Sequence, residues 1–413
     1  MDLGPLYSSR THTMKASEIR ELLKLTEKPN VISFAGGLPN PGTFPVQEIE
    51  DATKRVLRDH AKLALQYGTT EGVTILREAV AESLRKDGMR VHPDEVTITN
   101  GSQQGLDLLG RVFIDPGDHL LVANPTYLGA LQSFNYYGAK YSTCDSDDDG
   151  IKPESVEARI LELKKKGIRA KFLYVVSTFA NPTGTTVSLS RRRKLVELAK
   201  EHDLLIVEDD PYGKLRFEGE AVPSMHSLDK EGTHVVYLGT FSKILVPGFR
   251  LAWSVAPMDA TRKMVIGKQS VDLCTNPFTQ YIAADLMAGG LIERHIPQII
   301  SLYRKKRDVM LTAMDKHFPK EGTTWTKSQG GLFTWAELPK HVNTTKMLEE
   351  AVKKEVAYVP GKSFYPDPDM GFNTMRLNFS HPADEKIKLG VERLGQVMAD
   401  AISKKPSTTK VLA

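Results

Sequence analysis

The sequence predicts an α/β protein with a mainly parallel sheet in a large domain and a smaller α+β domain after it. Three observations carry that reading. Short apolar runs alternate with helical patterns between Val96 and Val255. Those runs are apolar throughout, as in strands buried on both faces, where an alternating pattern would mark a half-exposed sheet. After about Gly290 the texture changes to a long helical pattern followed by aromatic, strand-like segments, which points to a second lobe.

Taken in order, Ser17 is placed to cap a short helix with Ile19, Leu22 and Leu23 on one face. Val96–Thr99 reads as a strand that runs through Asn100-Gly101-Ser102-Gln103-Gln104-Gly105 into an apolar-periodic helix. Further strands are expected at Leu120–Ala123, Phe172–Val176, Leu204–Val207, Val235–Leu238 and Leu251–Val255, with helical segments such as Ser190–His202 between them. The helical pattern Ile292–His317 leads to Trp325, then Gly330–Trp335, then Met375–Phe379. The expected organisation is an N-terminal arm over residues 1–50 packing with the small domain, a large domain over 51–290, a small domain over 291–403 and a disordered tail over 404–413.

Composition narrows the function. Of 413 residues, 55 are basic and 51 acidic, a net charge of +4 that gives no reason to expect nucleic acid or an anionic membrane as partner. No apolar run approaches the roughly 20 residues of a spanning helix, and Met1–Arg10 lacks the apolar core of a signal peptide. Two cysteines, Cys144 and Cys274, suit neither a disulfide framework nor a zinc site, so a cytoplasmic protein without a metal is expected.

In open α/β sheets ligands bind beyond the carboxyl ends of the strands. Four predicted strand ends carry polar residues there: Ser102 and Gln103; Asn181; Asp209 with Tyr212; and Thr240 with Ser242 and Lys243. A lysine amine attacks an aldehyde only when deprotonated, which burial or a neighbouring cation favours. Thr240, Ser242 and Arg250 are suitable donors for a phosphate, the arginine as a charged planar fork.

The stretch Gly239-Thr240-Phe241-Ser242-Lys243-Ile244-Leu245-Val246-Pro247-Gly248-Phe249-Arg250 resembles the lysine signature of fold-type I aminotransferases, which depend on pyridoxal 5'-phosphate (PLP). The resemblance implies the PLP-dependent transferase fold type I, with a Schiff base on Lys243. It runs along nearly the whole chain. Asp209-Asp210-Pro211-Tyr212 looks like the Asp-x-x-Tyr element, implying that Asp209 faces the pyridinium nitrogen and Tyr212 the ring 3-oxygen; Asp210 is the rival aspartate, and the spacing favours Asp209. Asn181-Pro182-Thr183-Gly184 matches the Asn-Pro-x-Gly turn whose asparagine also reaches the 3-oxygen, although relatives have Pro and Gln where this chain has Ser177 and Ala180. Gly101-Ser102-Gln103-Gln104 resembles the phosphate-binding turn, a helix N-terminus with free N–H groups. Tyr127 matches the aromatic ring that stacks on the cofactor, and Tyr67 the tyrosine that reaches the neighbouring subunit's phosphate, which implies a homodimer with shared sites.

Arg376 matches the arginine that grips the substrate α-carboxylate, and Val31–Pro45 resembles the segment that covers the substrate, with Gly37 allowing close backbone approach. Ala16–Leu23, the Gly-Gly-Leu-Pro loop and Leu273-Cys274-Thr275-Asn276 resemble the branch of kynurenine/2-aminoadipate and multi-substrate aromatic aminotransferases, in which Arg20 would meet a distal carboxylate or shift for an aromatic ring. The implied reaction moves an amino group from an L-amino acid to a 2-oxo acid such as 2-oxoglutarate. Asn181 and Arg376 would anchor the substrate, Lys243 would carry the α-proton, and Asp209 would support the ring. A β-lyase or decarboxylase on the same fold would keep most of these residues. A non-enzymatic effector domain would need a DNA-binding domain upstream, for which a match starting near Met1 leaves no expected room.

Overall fold

The computed structural model describes residues 1–13 and 30–404. The helix expected from Ser17, the specificity residue Arg20 and the tail beyond Lys404 lie outside the described residues.

Fourteen strands follow one another among the described residues. β1 is Ile32–Ser33, β2 Val96–Asn100, β3 His119–Asn124, β4 Lys140–Asp147, β5 Gly150–Ile151, β6 Ala170–Val176 and β7 Leu205–Asp209. β8 is Val235–Thr240, β9 Leu251–Val255, β10 Thr324–Trp325, β11 Phe333–Glu337, β12 Val356–Ala357, β13 Val359–Pro360 and β14 Thr374–Asn378. Eight of them form one sheet in the order β2-β9-β8-β7-β6-β3-β4-β5. The pairs from β8 through β4 are all parallel, whereas β9 runs antiparallel to both its neighbours and β5 to β4. β2, β3, β4, β6, β7 and β8 therefore share one direction, and their carboxyl ends lie on one edge. β9 runs the other way, so its first residues start at that same edge.

The six strands expected from continuous apolar runs are all present, and β6 to β9 are almost wholly buried. β4 was not expected. Its sequence, Lys-Tyr-Ser-Thr-Cys-Asp-Ser-Asp, has no apolar run, and Cys144 is the one residue of the strand that is buried. It lies next to the sheet edge and is mostly only partly buried, so the hydrophobic pattern is correspondingly thin.

The C-terminal sheet, β10-β11-β14-β13, is antiparallel. Helices Leu291–His317 and Asp384–Ser403 pack together beside it. The segment after residue 30 is tied to this lobe. β1 pairs in parallel with β12, the Asn378 N–H donates to the Phe34 carbonyl at 2.9 Å, and Ser380 Oγ donates to the Leu38 carbonyl at 2.8 Å. No helix among the described residues is long and apolar enough to cross a membrane.

Candidate active site

The shared strand direction gathers the polar strand ends. β2 stops at Asn100, and Gly101, at φ +72°, turns the chain into helix Ser102–Phe113. A Cβ on Gly101 would run into the Arg250 guanidinium, so the turn and that side chain are in contact only because residue 101 is glycine. Ser102 Oγ is buried without a partner. The Gln103 side chain turns elsewhere, donating to the Gly129 carbonyl at 2.9 Å and to Ser133 Oγ at 2.6 Å. What Gln103 leaves at the helix start is its backbone N–H, one of the first four that lack intrahelical acceptors.

β8 ends at Thr240, whose Oγ1 accepts from the Ser242 N–H at 3.1 Å. Arg250 is exposed and sits in the left-handed region, φ +53°, between Pro247–Phe249 and β9. A non-glycine residue there is uncommon and costs about 1–3 kcal/mol, a strain typical of functional positions. Lys243 is partly buried, and its Nζ donates to the Gly37 carbonyl at 2.9 Å. Burial, then the Arg376 and Arg250 charges, push its amine from 10.5 down to about 8. An added Cβ on Gly37 would stand 3.3 Å from the Phe333 ring.

At the end of β7 the two adjacent aspartates differ sharply. Asp209 is buried; its Oδ2 accepts from Tyr174 Oη at 2.8 Å and its Oδ1 has no partner. Burial pushes its carboxyl up to about 7. Asp210 is occupied by the fold: Oδ1 accepts from the Gly213 N–H at 2.8 Å and Oδ2 from the Tyr237 hydroxyl at 3.2 Å. Tyr212 is buried, edge-on to Phe333 at 5.8 Å, with its hydroxyl in hydrogen-bond contact with Asn181. Tyr127 follows β3, and burial first, then Asp209, raises its phenol.

Arg376 reaches the site from β14, where it faces Trp335 on β11 and Val359 on β13. It is 2% exposed. Nη1 donates to Asn181 Oδ1 at 2.8 Å and Nη2 to the Ala35 carbonyl at 2.6 Å, while Nε has no partner. Its guanidinium lies 4.3 Å from the centre of the Phe333 ring and 5.1 Å from that of Phe364. No carboxylate pairs with it among the described residues. Burial lowers it to about 10, so it stays charged at neutral pH.

Direct contacts and charge couplings thus link Asn181, Asp209, Tyr212, Lys243, Arg250, Arg376 and the Gly37 carbonyl into one neighbourhood, with the Gly101–Ser102 turn against Arg250. Tyr67 stands apart, 78% exposed. Tyr174 and Phe333 were not singled out from the sequence. For Tyr174 a signal was present: a hydroxyl-bearing residue in the otherwise apolar run Phe172–Val176. The neighbourhood fits a phosphopyridine aldehyde. It offers a depressed amine, a buried carboxylate oxygen awaiting a donor, and a helix N-terminus with an unpartnered hydroxyl beside Arg250, which forms no ion pair among the described residues.

The family profile described as Aminotransferase class I and II matches residues 29–394. Aromatic-amino-acid aminotransferase 1 of Thermococcus litoralis is 50% identical over 405 residues, covering 98% of this chain and 96% of its own length. The crystal structure of Pyrococcus horikoshii kynurenine aminotransferase in complex with PMP, KYN and KYA superposes with a TM-score of 0.93 at 48% identity, covering 97% of this chain and 98% of that one. The α-aminoadipate aminotransferase of Thermus thermophilus, complexed with N-(5'-phosphopyridoxyl)-L-leucine, gives 0.89 at 38% identity, covering 98% and 100%.

Proposed function

Since the chain belongs to the aminotransferase class I and II family, with the fold of type I PLP-dependent transferases and PLP-dependent transamination as its activity, we propose that it moves amino groups from aromatic amino acids, kynurenine or 2-aminoadipate to 2-oxoglutarate. The single observation that carries the site assignment is Lys243, a partly buried amine pushed to about 8 and held by the Gly37 carbonyl. Bound PLP supplies an aldehyde that takes up the amino group and a ring that draws electron density from the α-carbon.

The chain's residues do the rest. Lys243 Nζ would hold the cofactor and, as a free amine, would take the proton from the substrate α-carbon. Asp209 Oδ1, buried without a partner among the described residues, would accept from the ring nitrogen and keep it protonated. Tyr212 and Asn181 donate to the ring 3-oxygen, and the Tyr127 ring covers the face of the cofactor. Ser102, Thr240, Ser242, Arg250 and the Gln103 N–H hold the phosphate. Arg376 binds the α-carboxylate, with Asn181 fixing one side of its fork and Gly37 at the substrate's flank. Arg20 selects among distal groups.

The protein acts as a homodimer whose Tyr67 reaches the partner's site. The support is that Tyr67 stands exposed beside Leu63 and Leu65, which are themselves exposed, an apolar patch in need of a cover. In this reading the lobes divide near residues 50 and 290, and two unpaired cysteines support a cytoplasmic location. A panel of single-turnover half-reactions tests the reading, with each amino acid added to the holoenzyme and products analysed. Stoichiometric 2-oxo acid from the aromatic and 2-aminoadipate donors is expected. Release of carbon dioxide or of the side chain instead would overturn it.

A further inference from the structure

Asp209 has two oxygens in different circumstances. Oδ2 is engaged by Tyr174, and Oδ1 is buried with no partner. Tyr174 is 1% exposed and comes from β6, the strand beside β7, where Val176 stands opposite Asp209. Its ring is packed edge-on against Phe134 at 5.7 Å. Full burial and that contact hold the ring in place, so the position of the hydroxyl is set by the core of the sheet.

We propose that Tyr174 is the positioning residue of the cofactor-facing carboxylate: its hydroxyl clamps Oδ2, directs Oδ1 at the ring nitrogen and keeps Asp209 ionised. The inference rests on the reading that Asp209 faces that nitrogen. A lone buried carboxylate takes up a proton rather than remain charged without donors. The titratable groups facing Asp209 among the described residues are Tyr174 on β6, Tyr127 before helix Leu128–Tyr136, Tyr212 after β7, and Asp210 next in the chain. Of these, Tyr174 is the one that favours the ionised form, and Asp210, being acidic, opposes it. Neutral phenols at Tyr127 and Tyr212 add no charge, since burial raises both. Removing the Tyr174 hydroxyl leaves burial and Asp210 acting on Asp209 unopposed.

The sign follows. Asp209 is already raised, and without Tyr174 it rises further, so a larger share is protonated at neutral pH. A protonated carboxyl gives the ring nitrogen no counter-charge. The test is binding of PLP by fluorescence across a pH series to the full-length ligand-free protein in a Lys243→Ala background, which removes the amine that itself titrates near 8, with positions 174 and 209 as wild type, Tyr174→Phe or Asp209→Asn. Tyr174→Phe keeps the ring and its contact with Phe134, and near-ultraviolet circular dichroism checks the fold. With both positions wild type, affinity should be lost as pH falls through about 7. In Tyr174→Phe that acid limb should move up by about one pH unit, roughly tenfold weaker binding at neutral pH, with the alkaline plateau retained. Asp209→Asn should lack the limb. If Tyr174→Phe keeps the limb at the wild-type pH, whether or not the plateau drops, Tyr174 is packing only and the proposal fails. If Asp209→Asn retains the limb, the assignment of Asp209 itself fails.

Discussion

The amine of Lys243 offers a quantitative test of the site. At pH 7 a lysine with its pKa at about 8 is about 9% free amine, whereas one at the ordinary 10.5 is about 0.03% free, an advantage of about 300-fold. That advantage comes first from burial and then from the positive charges of Arg376 and Arg250. The limiting rate of covalent PLP attachment, followed by stopped-flow absorbance at saturating PLP, should climb about tenfold per pH unit and level off above about pH 8. Arg376→Gln removes the stronger of the two positive neighbours, so its profile should level off at higher pH. Lys243→Ala should fold and bind PLP without attachment. Borohydride reduction and peptide mapping of the wild type should find the label on Lys243. A wild-type rate still climbing past about pH 10, near the ordinary lysine range, or a label on another lysine, would refute the reasoning.

Three further outcomes are expected. Asp209→Ala should slow α-proton removal by orders of magnitude, while Asp210→Ala, which loses the Gly213 and Tyr237 bonds, should cost mainly stability, about 1–3 kcal/mol; the reverse ranking in single-turnover rates would show the wrong aspartate was chosen. Lys243→Ala and Tyr67→Phe chains refolded together should recover activity neither has alone, because one site of each heterodimer carries neither lesion; no recovery in confirmed heterodimers would count against shared sites. Arg20→Ala should lower kcat/KM for 2-aminoadipate by about 10- to 200-fold, the worth of a charge-assisted hydrogen bond of about 1.5–3 kcal/mol, and spare phenylalanine; equal losses for both would leave Arg20 a surface charge.

How much of this was legible in the sequence depended on the kind of signal. Strands buried on both faces announce themselves, so β6 to β9 were readable; β4, next to the sheet edge and polar along most of its length, was not. Lys243 and Arg250 were found because they lie seven residues apart in one local pattern. Tyr174 and Asp209 are 35 residues apart, and their hydrogen bond exists only because β6 and β7 are neighbours in the sheet. The same holds for Arg376 and Asn181, 195 residues apart. Each residue could be named from its surroundings, but the bond joining them is a product of the fold. The choice between Asp209 and Asp210 rested on spacing to Tyr212; the structure adds a physical difference, since Asp210 spends one oxygen on the turn and the other on Tyr237, while Asp209 keeps one free.

That free oxygen belongs to a wider imbalance. Lys243, Arg250 and Arg376 converge on the site, and among the described residues no carboxylate forms an ion pair with any of them. Buried charge without a partner is costly. The faces of Phe333 and Phe364 give Arg376 partial relief, about 0.5–2 kcal/mol each for a cation over a ring. Asp209 carries the opposite debt. Its folded pKa lies above the ordinary 3.8, so its contribution to stability is intact below that value and is lost as pH rises through about 7, on the order of 4 kcal/mol in the ligand-free protein. The unmet demands are spatially sorted. Arg250, exposed beside the Gly101 turn and the Ser102 helix start, calls for an anion at the rim. Arg376, deep beside Asn181 and Ala35, calls for a second anion in the interior. Asp209 Oδ1 calls for a cationic donor at the end of β7. A phosphate, a substrate carboxylate and a protonated ring nitrogen meet those three demands at once. On the proposed reading the charges the fold leaves unpaired set its selectivity, because a ligand lacking the carboxylate or the ring nitrogen leaves buried Arg376 or Asp209 unmet, and one lacking the phosphate forgoes Arg250 at the rim.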